Sequence, residues 1–269
     1  MTVENSEVPR RNTPDAPLLR CQDVRVRFGG ITALDGISFD VDRGQIVGVI
    51  GPNGAGKTTL FNCISRVYSV DGGDILFAGR SLLSQPQHRV ARLGIARTFQ
   101  HAALFDSLSV RENLMLGAHL RLDCGFLANA LRLPAVLRNE RQAAAEADQL
   151  LALLDLEGVA SARASDLPLG TRKQVELARA LATKPELLLL DEPAAGLNHS
   201  ELGDLTALLL SLRDHMGITV LLVEHHMQVV MGISDKVVAL DFGRLIAEGT
   251  PARVQSDPEV IRAYLGTAR

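Results

Sequence analysis

Residues 51–58 read Gly51-Pro52-Asn53-Gly54-Ala55-Gly56-Lys57-Thr58, directly after the apolar run 46–50 and directly before a segment of helical character. A glycine-rich turn held between a strand and a helix start admits few architectures. The strand must be interior, because its five residues are apolar without alternation, and a sheet covered on both faces follows. The glycines let successive backbone N–H groups turn inward on one point. The helix behind them aims its positive end at the same point. Lys57 adds a compact cation and Thr58 a hydroxyl able to ligate a hard cation. These are the parts that hold the phosphates of ATP with Mg²⁺ beside them. Gly51, Pro52, Asn53, Gly54, Ala55, Gly56, Lys57, Thr58 and Thr59 are therefore candidate nucleotide contacts. A glycine-rich turn with a chance lysine would not account for the strand before it and the helix after it.

The rest of the chain alternates strands and helices around this loop. Residues 18–28 alternate Val24, Val26 and Phe28 with Arg25 and Arg27, a strand pattern. Further strands are expected at 37–41, at 46–50 and, after the Asp71-Gly72-Gly73 turn, at 73–77. A helix is expected from near Lys57 to about Arg66. Helical signals dominate 101–166, where Ala147, Leu150, Leu151 and Leu154 share one face and Gly158 is placed to end the helix. The strand and helix rhythm then returns: strands at 187–190 and 219–223, a helix at 202–212, and a closing hairpin of 237–240 and 244–248 around Asp241-Phe242-Gly243. This is an α/β pattern, with residues 1–17 as a flexible N-terminal tail.

Composition narrows the partners. With 31 acidic and 28 basic residues the net charge is −3, which gives no support to a nucleic-acid partner. Cys21, Cys63 and Cys124 show no paired spacing, so neither a disulfide framework nor a zinc site is expected. No apolar run approaches the roughly 20 residues of a membrane-spanning helix, and the polar start with Glu4, Glu7, Arg10 and Arg11 is unlike a signal peptide. If the protein works at a membrane, another chain provides the span.

Later motifs separate the possible nucleotide enzymes. Residues 187–193, Leu-Leu-Leu-Leu-Asp-Glu-Pro, form a buried strand with two carboxylates at its end. Asp191 can hold Mg²⁺ through water, and Glu192 can act as general base on the attacking water. Upstream, Leu167-Pro168-Leu169-Gly170-Thr171 precedes an amphipathic segment running through Ala180, and Glu224-His225 ends another strand.

The order phosphate loop, Gln100, Leu167–Thr171, Asp191-Glu192, Ala195-Gly196-Leu197-Asn198, His225 resembles the ABC ATPase family over nearly the whole chain. Arg97-Thr98-Phe99-Gln100, residues 191–198, Glu224-His225-His226-Met227, the 125–138 insertion and the tail 257–266 look like the first of two ATPases in branched-chain amino acid importers. The resemblance implies a P-loop NTPase core, a mostly parallel sheet with an antiparallel β part, forming one domain over 18–269 with an inserted helical subdomain at about 101–166. It implies that Gln100 contacts Mg²⁺ and the water and links the site to a membrane partner, and that His225 hydrogen-bonds the γ-phosphate. His226 then reads as a solvated neighbour and His101 as a surface residue. Phe28 has two readings of equal weight, a stack on adenine or a core strand residue. Leu167, Gly170 and Thr171 would complete the ATP site of an opposing subunit.

The partners so implied are transmembrane permease subunits, a homologous second ATPase in a heterodimer and, indirectly, a substrate-binding protein, with the chain peripheral on the cytoplasmic side of the membrane. Branched-chain or other hydrophobic amino acids are the implied cargo; urea, amides and carboxylates are the alternatives. Most of the apolar residues at 126–137 would close the helical subdomain's own core, and a minority would face the permease. The resemblance has one departure. Pro168 stands where the family carries a serine whose hydroxyl reaches the γ-phosphate, Leu169 stands in place of a glycine and Thr171 in place of a glutamine. Proline has neither a hydroxyl nor an N–H, so the site closed by this segment is expected to be the weaker of two. A soluble ABC-type ATPase acting on ribosomes or DNA would normally show two cassettes or a long coiled coil, neither of which is seen. A small-molecule kinase would leave Leu167–Thr171 and Glu224-His225 unexplained.

Overall fold

The computed structural model describes residues 16–98, 104–119, 121 and 134–265. Almost all of the expected tail, together with Phe99, Gln100, His101 and residues 125–133 of the insertion, lies outside them.

Among the described residues ten strands form two sheets. They are β1 (Leu19–Phe28), β2 (Ile31–Val41), β3 (Ile46–Ile50), β4 (Gly72–Phe77), β5 (Arg80–Ser81), β6 (Ile95–Arg97), β7 (Leu187–Asp191), β8 (Thr219–Val223), β9 (Lys236–Asp241) and β10 (Arg244–Gly249). An antiparallel sheet runs β2-β1-β4-β5, and a six-stranded sheet runs β10-β9-β3-β8-β7-β6. In the larger sheet every pairing is parallel except the β9–β10 hairpin. The helices are α1 (Lys57–Ile64), α2 (Val110–His119), α3 (Pro134–Leu153), α4 (Leu169–Leu181), α5 (His199–Met216), α6 (Met227–Ile233), α7 (Pro251–Gln255) and α8 (Pro258–Leu265).

Every residue of β3, β7 and β8 is buried, as their unbroken apolar runs require. Alternate side chains leave the sheet on opposite faces. Val47, Val49, Leu187, Leu189, Leu221 and Val223 pack with α1 and the antiparallel sheet. Ile46, Leu188, Leu190, Val220 and Leu222 pack with α2, α4 and α5. Each buried leucine contributes about 1.5–3 kcal/mol, so the strands that carry the site are also among the most firmly held. Helix α2 packs on both α3 and α4.

Three expectations need correction. The second strand starts at Ile31, not at 37, because Gly29 takes φ +59 and, with Gly30, closes a tight hairpin that pairs Phe28 with Ile31. The helix carrying Leu150 and Leu151 does not run to Gly158. It ends at Leu153, where Asp155 adopts φ +53 and the Leu156 N–H bonds back to Leu151, while Gly158 lies in a later single turn. Helix α5 is longer than 202–212 because Asn198 and Glu201 form a capping box at one end and Gly217, at φ +65, closes the other.

Candidate active site

Adjacent parallel strands bring their C-terminal ends to one edge of the sheet. The turn after β3 is the glycine loop, the turn after β7 carries Asp191 and Glu192, and the turn after β8 carries Glu224 and His225. Residues 134 to 174 positions apart in the chain are neighbours for this reason alone.

Two of the loop's glycines leave no room for a side chain. Gly51 has φ +150, and a Cβ there would stand 2.2 Å from the Leu240 carbonyl oxygen; Gly56 has φ +102, and its Cβ would stand 2.8 Å from the Ala33 carbonyl oxygen. No side chain caps α1, so its first-turn N–H groups point into the loop without a protein acceptor from a cap. The Lys57 side chain is buried and donates from Nζ to the Gly51 carbonyl at 2.6 Å and the Pro52 carbonyl at 3.0 Å. Burial lowers its pKa, and the nearby carboxylates of Glu192 and Asp191 act in the opposite direction. Asn53, Gly54 and Thr58 are exposed along the same edge. Convergent N–H groups, a cation and a hydroxyl suit a polyanion such as a nucleotide phosphate chain.

Across the edge, Asp191 is buried, and burial pushes its carboxyl pKa upward. Arg97 opposes that shift, donating from Nη2 to Asp191 Oδ2 at 3.0 Å. The same guanidinium donates to Asn62 Oδ1 and Ser65 Oγ, at 2.7 and 2.8 Å, at the α1 end, so it ties the glycine-loop helix to the end of β7. Glu192 has φ +51, a conformation that costs roughly 1–2 kcal/mol for a residue with a Cβ. The turn is held by the Glu192 N–H to the Val223 carbonyl at 2.9 Å. It presents Glu192 Oε1 to His225 Nε2 at 2.7 Å. A carboxylate only accepts, so Nε2 carries the hydrogen in this pair.

Two further side chains fix that pair. Glu224 is 1% exposed and accepts from the Ala194 N–H at 2.6 Å through Oε1, and from the N–H groups of His225 and His226 at 3.0 and 3.3 Å through Oε2. It thereby joins the turn after β7 to the turn after β8. Lys173, from the second turn of α4, donates to the carbonyls of Pro193, at 3.3 Å, and Ala195. Sequence reading found neither role, nor that of Arg97. The one available signal was a glutamate ending an apolar strand, since a carboxylate in such a place must find donors.

The remaining expected residues are placed as follows. Phe28 is 48% exposed and meets the Tyr68 ring edge-on at 5.2 Å between centroids, so the core reading of Phe28 is overturned. Leu167 packs against the core beneath α4, while Gly170 and Thr171 lie half-buried in its first turn. Pro168 is the N-cap of α4, outside the helix. The His226 ring meets Glu224 at 3.3 Å, whereas the His225 ring meets Glu192. Gln100 lies outside the described residues.

Residues 34–195 match the family described as ABC transporter, and residues 244–269 the one described as branched-chain amino acid ATP-binding cassette transporter. The chain belongs to the ABC transporter ATPase family. This cassette is 43% identical over 252 residues to the high-affinity branched-chain amino acid transport ATP-binding protein BraF of Pseudomonas aeruginosa, covering 94% of the cassette and 99% of that relative. The corresponding LivG protein of Escherichia coli K12 is 42% identical over the same length and coverage. Among solved structures, a nucleotide-free ATP-binding cassette from an ABC transporter superposes with a TM-score of 0.80 at 31% identity, covering 93% of this chain and 99% of that one. An ADP-bound cassette of an ABC transporter superposes equally, at 32% identity, over 93% and 98% of the two chains. The cassette is a nucleotide-binding ATPase subunit of a transporter, with the α/β architecture that its sequence implies. Among the described residues no helix is long and apolar enough to cross a membrane.

Proposed function

We propose that this cassette hydrolyses ATP at Lys57, Asp191, Glu192 and His225 to power an importer of branched-chain or other hydrophobic amino acids. The observation that carries the catalytic part is the 2.7 Å contact between His225 and Glu192, set beside Asp191 at the edge that bears the phosphate loop. The cargo rests on the relatives, which are named as branched-chain amino acid transport proteins.

In this reading residues 51–59 surround the phosphates and Lys57 turns from its own loop carbonyls to the β and γ oxygens. Phe28, with Tyr68 against it, offers an exposed aromatic face to adenine. The Thr58 hydroxyl, Asp191 and Gln100 would hold Mg²⁺, a hard cation that takes few protein oxygens and keeps several waters. When bound, that ion neutralises charge on the phosphates. Glu192 takes the proton of the attacking water; the His225 N–H holds that carboxylate in this structure and would hydrogen-bond the γ-phosphate when ATP is bound. Residues 18–269 act as one ATPase domain, with about 101–166 as its helical subdomain and a minority of the apolar residues at 126–137 facing the permease.

The phosphate loop lies on an open edge, so a second subunit is needed to enclose the γ-phosphate. That subunit is a homologous ATPase whose own signature closes this cassette's site, while Leu167, Gly170 and Thr171 close the partner's. The assembly sits peripherally on the cytoplasmic side of the membrane against permease subunits and is served by a substrate-binding protein. Co-expression with permease subunits and a second ATPase provides the test. Labelled leucine should enter vesicles with ATP inside, and the cassette should sediment with membranes only when the permease is present. Uptake of urea, short amides or carboxylates in place of leucine would overturn the cargo. Solubility with and without the permease would overturn the transport role.

A further inference from the structure

The last matched stretch of the chain returns to the phosphate loop. Helix α8 starts where Asp257 Oδ1 accepts from the Glu259 N–H at 2.8 Å. Val260 is buried in a cluster with Ile50, the residue immediately before Gly51. One turn further on, the Tyr264 hydroxyl oxygen accepts from the Gly51 N–H at 2.7 Å. The Gly51 carbonyl in turn accepts from Lys57 Nζ at 2.6 Å. Gly51 is thus held on both sides, by the end of the chain on one and by the phosphate-binding lysine on the other, at a position where no side chain fits.

We propose that Tyr264 is a positioning residue of the ATP site, fixing the first N–H of the phosphate loop and, through the Gly51 carbonyl, the resting place of Lys57. The C-terminal helix is then a strut whose docking sets nucleotide affinity. A buried N–H that loses its acceptor seeks another. A Gly51 N–H that turns to a new acceptor moves the start of the loop and with it the N–H groups aimed at the phosphates. Burial raises the phenol pKa to about 12 against the opposing hydrogen bond from Gly51, so the hydroxyl keeps its proton throughout the physiological range.

This inference rests on the reading of residues 51–59 as the ATP site, and the test separates the two. Mg·ATP binding by calorimetry and Tm of the full chain, with KM and kcat of the assembled complex, would be compared for the parent and for Tyr264→Phe, Val260→Ala and Lys57→Ala. Removing the hydroxyl alone should weaken ATP binding and raise KM about three- to tenfold, the worth of one ordinary hydrogen bond. It should leave kcat at saturating ATP unchanged and shift Tm little. Val260→Ala, which loosens the helix but keeps the hydroxyl, should lower Tm with a smaller change in affinity. If Tyr264→Phe binds ATP as the parent does while Lys57→Ala loses binding, the strut is wrong and the site stands. If affinity merely follows Tm across the Tyr264 and Val260 variants, the role is structural and the proposal fails. If Lys57→Ala binds ATP normally, the site reading fails and takes the strut with it.

Discussion

Replacing Glu224 with glutamine should slow hydrolysis without changing ATP affinity. The carboxylate is buried and receives backbone N–H groups from Ala194, His225 and His226, none of them in the phosphate loop. An amide of the same shape keeps one acceptor oxygen. Its NH₂ must then face either the Ala194 N–H or the two histidine N–H groups, donor against donor. Hydrogen bonds to a charged acceptor are worth roughly 1.5–3 kcal/mol each; the amide turns to the side with the single Ala194 N–H, and losing that one bond should cost about 2 kcal/mol. For a chain of this size that lowers Tm by about 4–8 °C. The kinetic effect follows from what the two turns carry: Ala194 lies two residues beyond Glu192, and His225 follows Glu224. Once they are uncoupled, the 2.7 Å contact between His225 and Glu192 is no longer enforced. A misplaced general base forfeits part of the roughly 10²–10⁴-fold that such a base contributes, so kcat should fall at least tenfold while KM for ATP stays within twofold. Steady-state ATPase assays on the assembled complex, beside thermal melts, decide the matter. A lowered Tm with unchanged kcat would refute the reasoning, because the carboxylate would then be a fold residue only.

Other perturbations have equally definite outcomes. Arg97→Met leaves Asp191 buried without its guanidinium; breaking a buried pair costs about 3–5 kcal/mol, so melting should fall by more than it does for Glu224→Gln, with Mg²⁺-dependent ATP binding weakened in parallel. Pro168→Ser places a hydroxyl at the N-cap of α4, which has no side-chain cap. A serine cap is worth about 1 kcal/mol, so Tm should rise or hold, and turnover at the site this segment closes should rise or hold; a loss of activity would count against two unequal sites. Glu146 is a pH probe: burial raises its pKa, but hydrogen bonds from Lys184, Gln142 and Arg121 outweigh this and hold it at about 2. The folded value lies below the ordinary 4.5, so its stabilisation is present above pH 4.5 and is lost as pH falls toward 2. The stability gap between the parent and Glu146→Gln should close over that window, which denaturant melts at stepped pH would show.

What could be read from the sequence was local. The phosphate loop, the buried runs of β3, β7 and β8, and the carboxylates at the end of β7 each follow from a few adjacent residues whose chemistry has one use. What could not be read was long-range pairing. Arg97 reaches Asp191 across 94 positions and Tyr264 reaches Gly51 across 213, and no periodicity encodes such meetings. Glu224 was visible only as the residue before His225; its role appears once β7 and β8 lie side by side. Local signals also misled where several could serve. Gly158 invited a helix end, yet the α3 face was exhausted at Leu154 and Asp155 took the left-handed turn itself. Phe28 alternates like a core residue, but the Gly29-Gly30 hairpin leaves it on an exposed corner beside Tyr68.

The account turns on Glu192 as the general base. The decisive measurement is single-turnover ATP hydrolysis by the assembled transporter carrying Glu192→Gln in this cassette, beside direct measurement of ATP binding. The substitution keeps the side chain's shape and its place beside His225 but removes the proton acceptor. ATP should bind as tightly as in the parent or more so, and hydrolysis at this site should fall by roughly 10²-fold or more. Hydrolysis at the parental rate with ATP bound would contradict the assignment of the site.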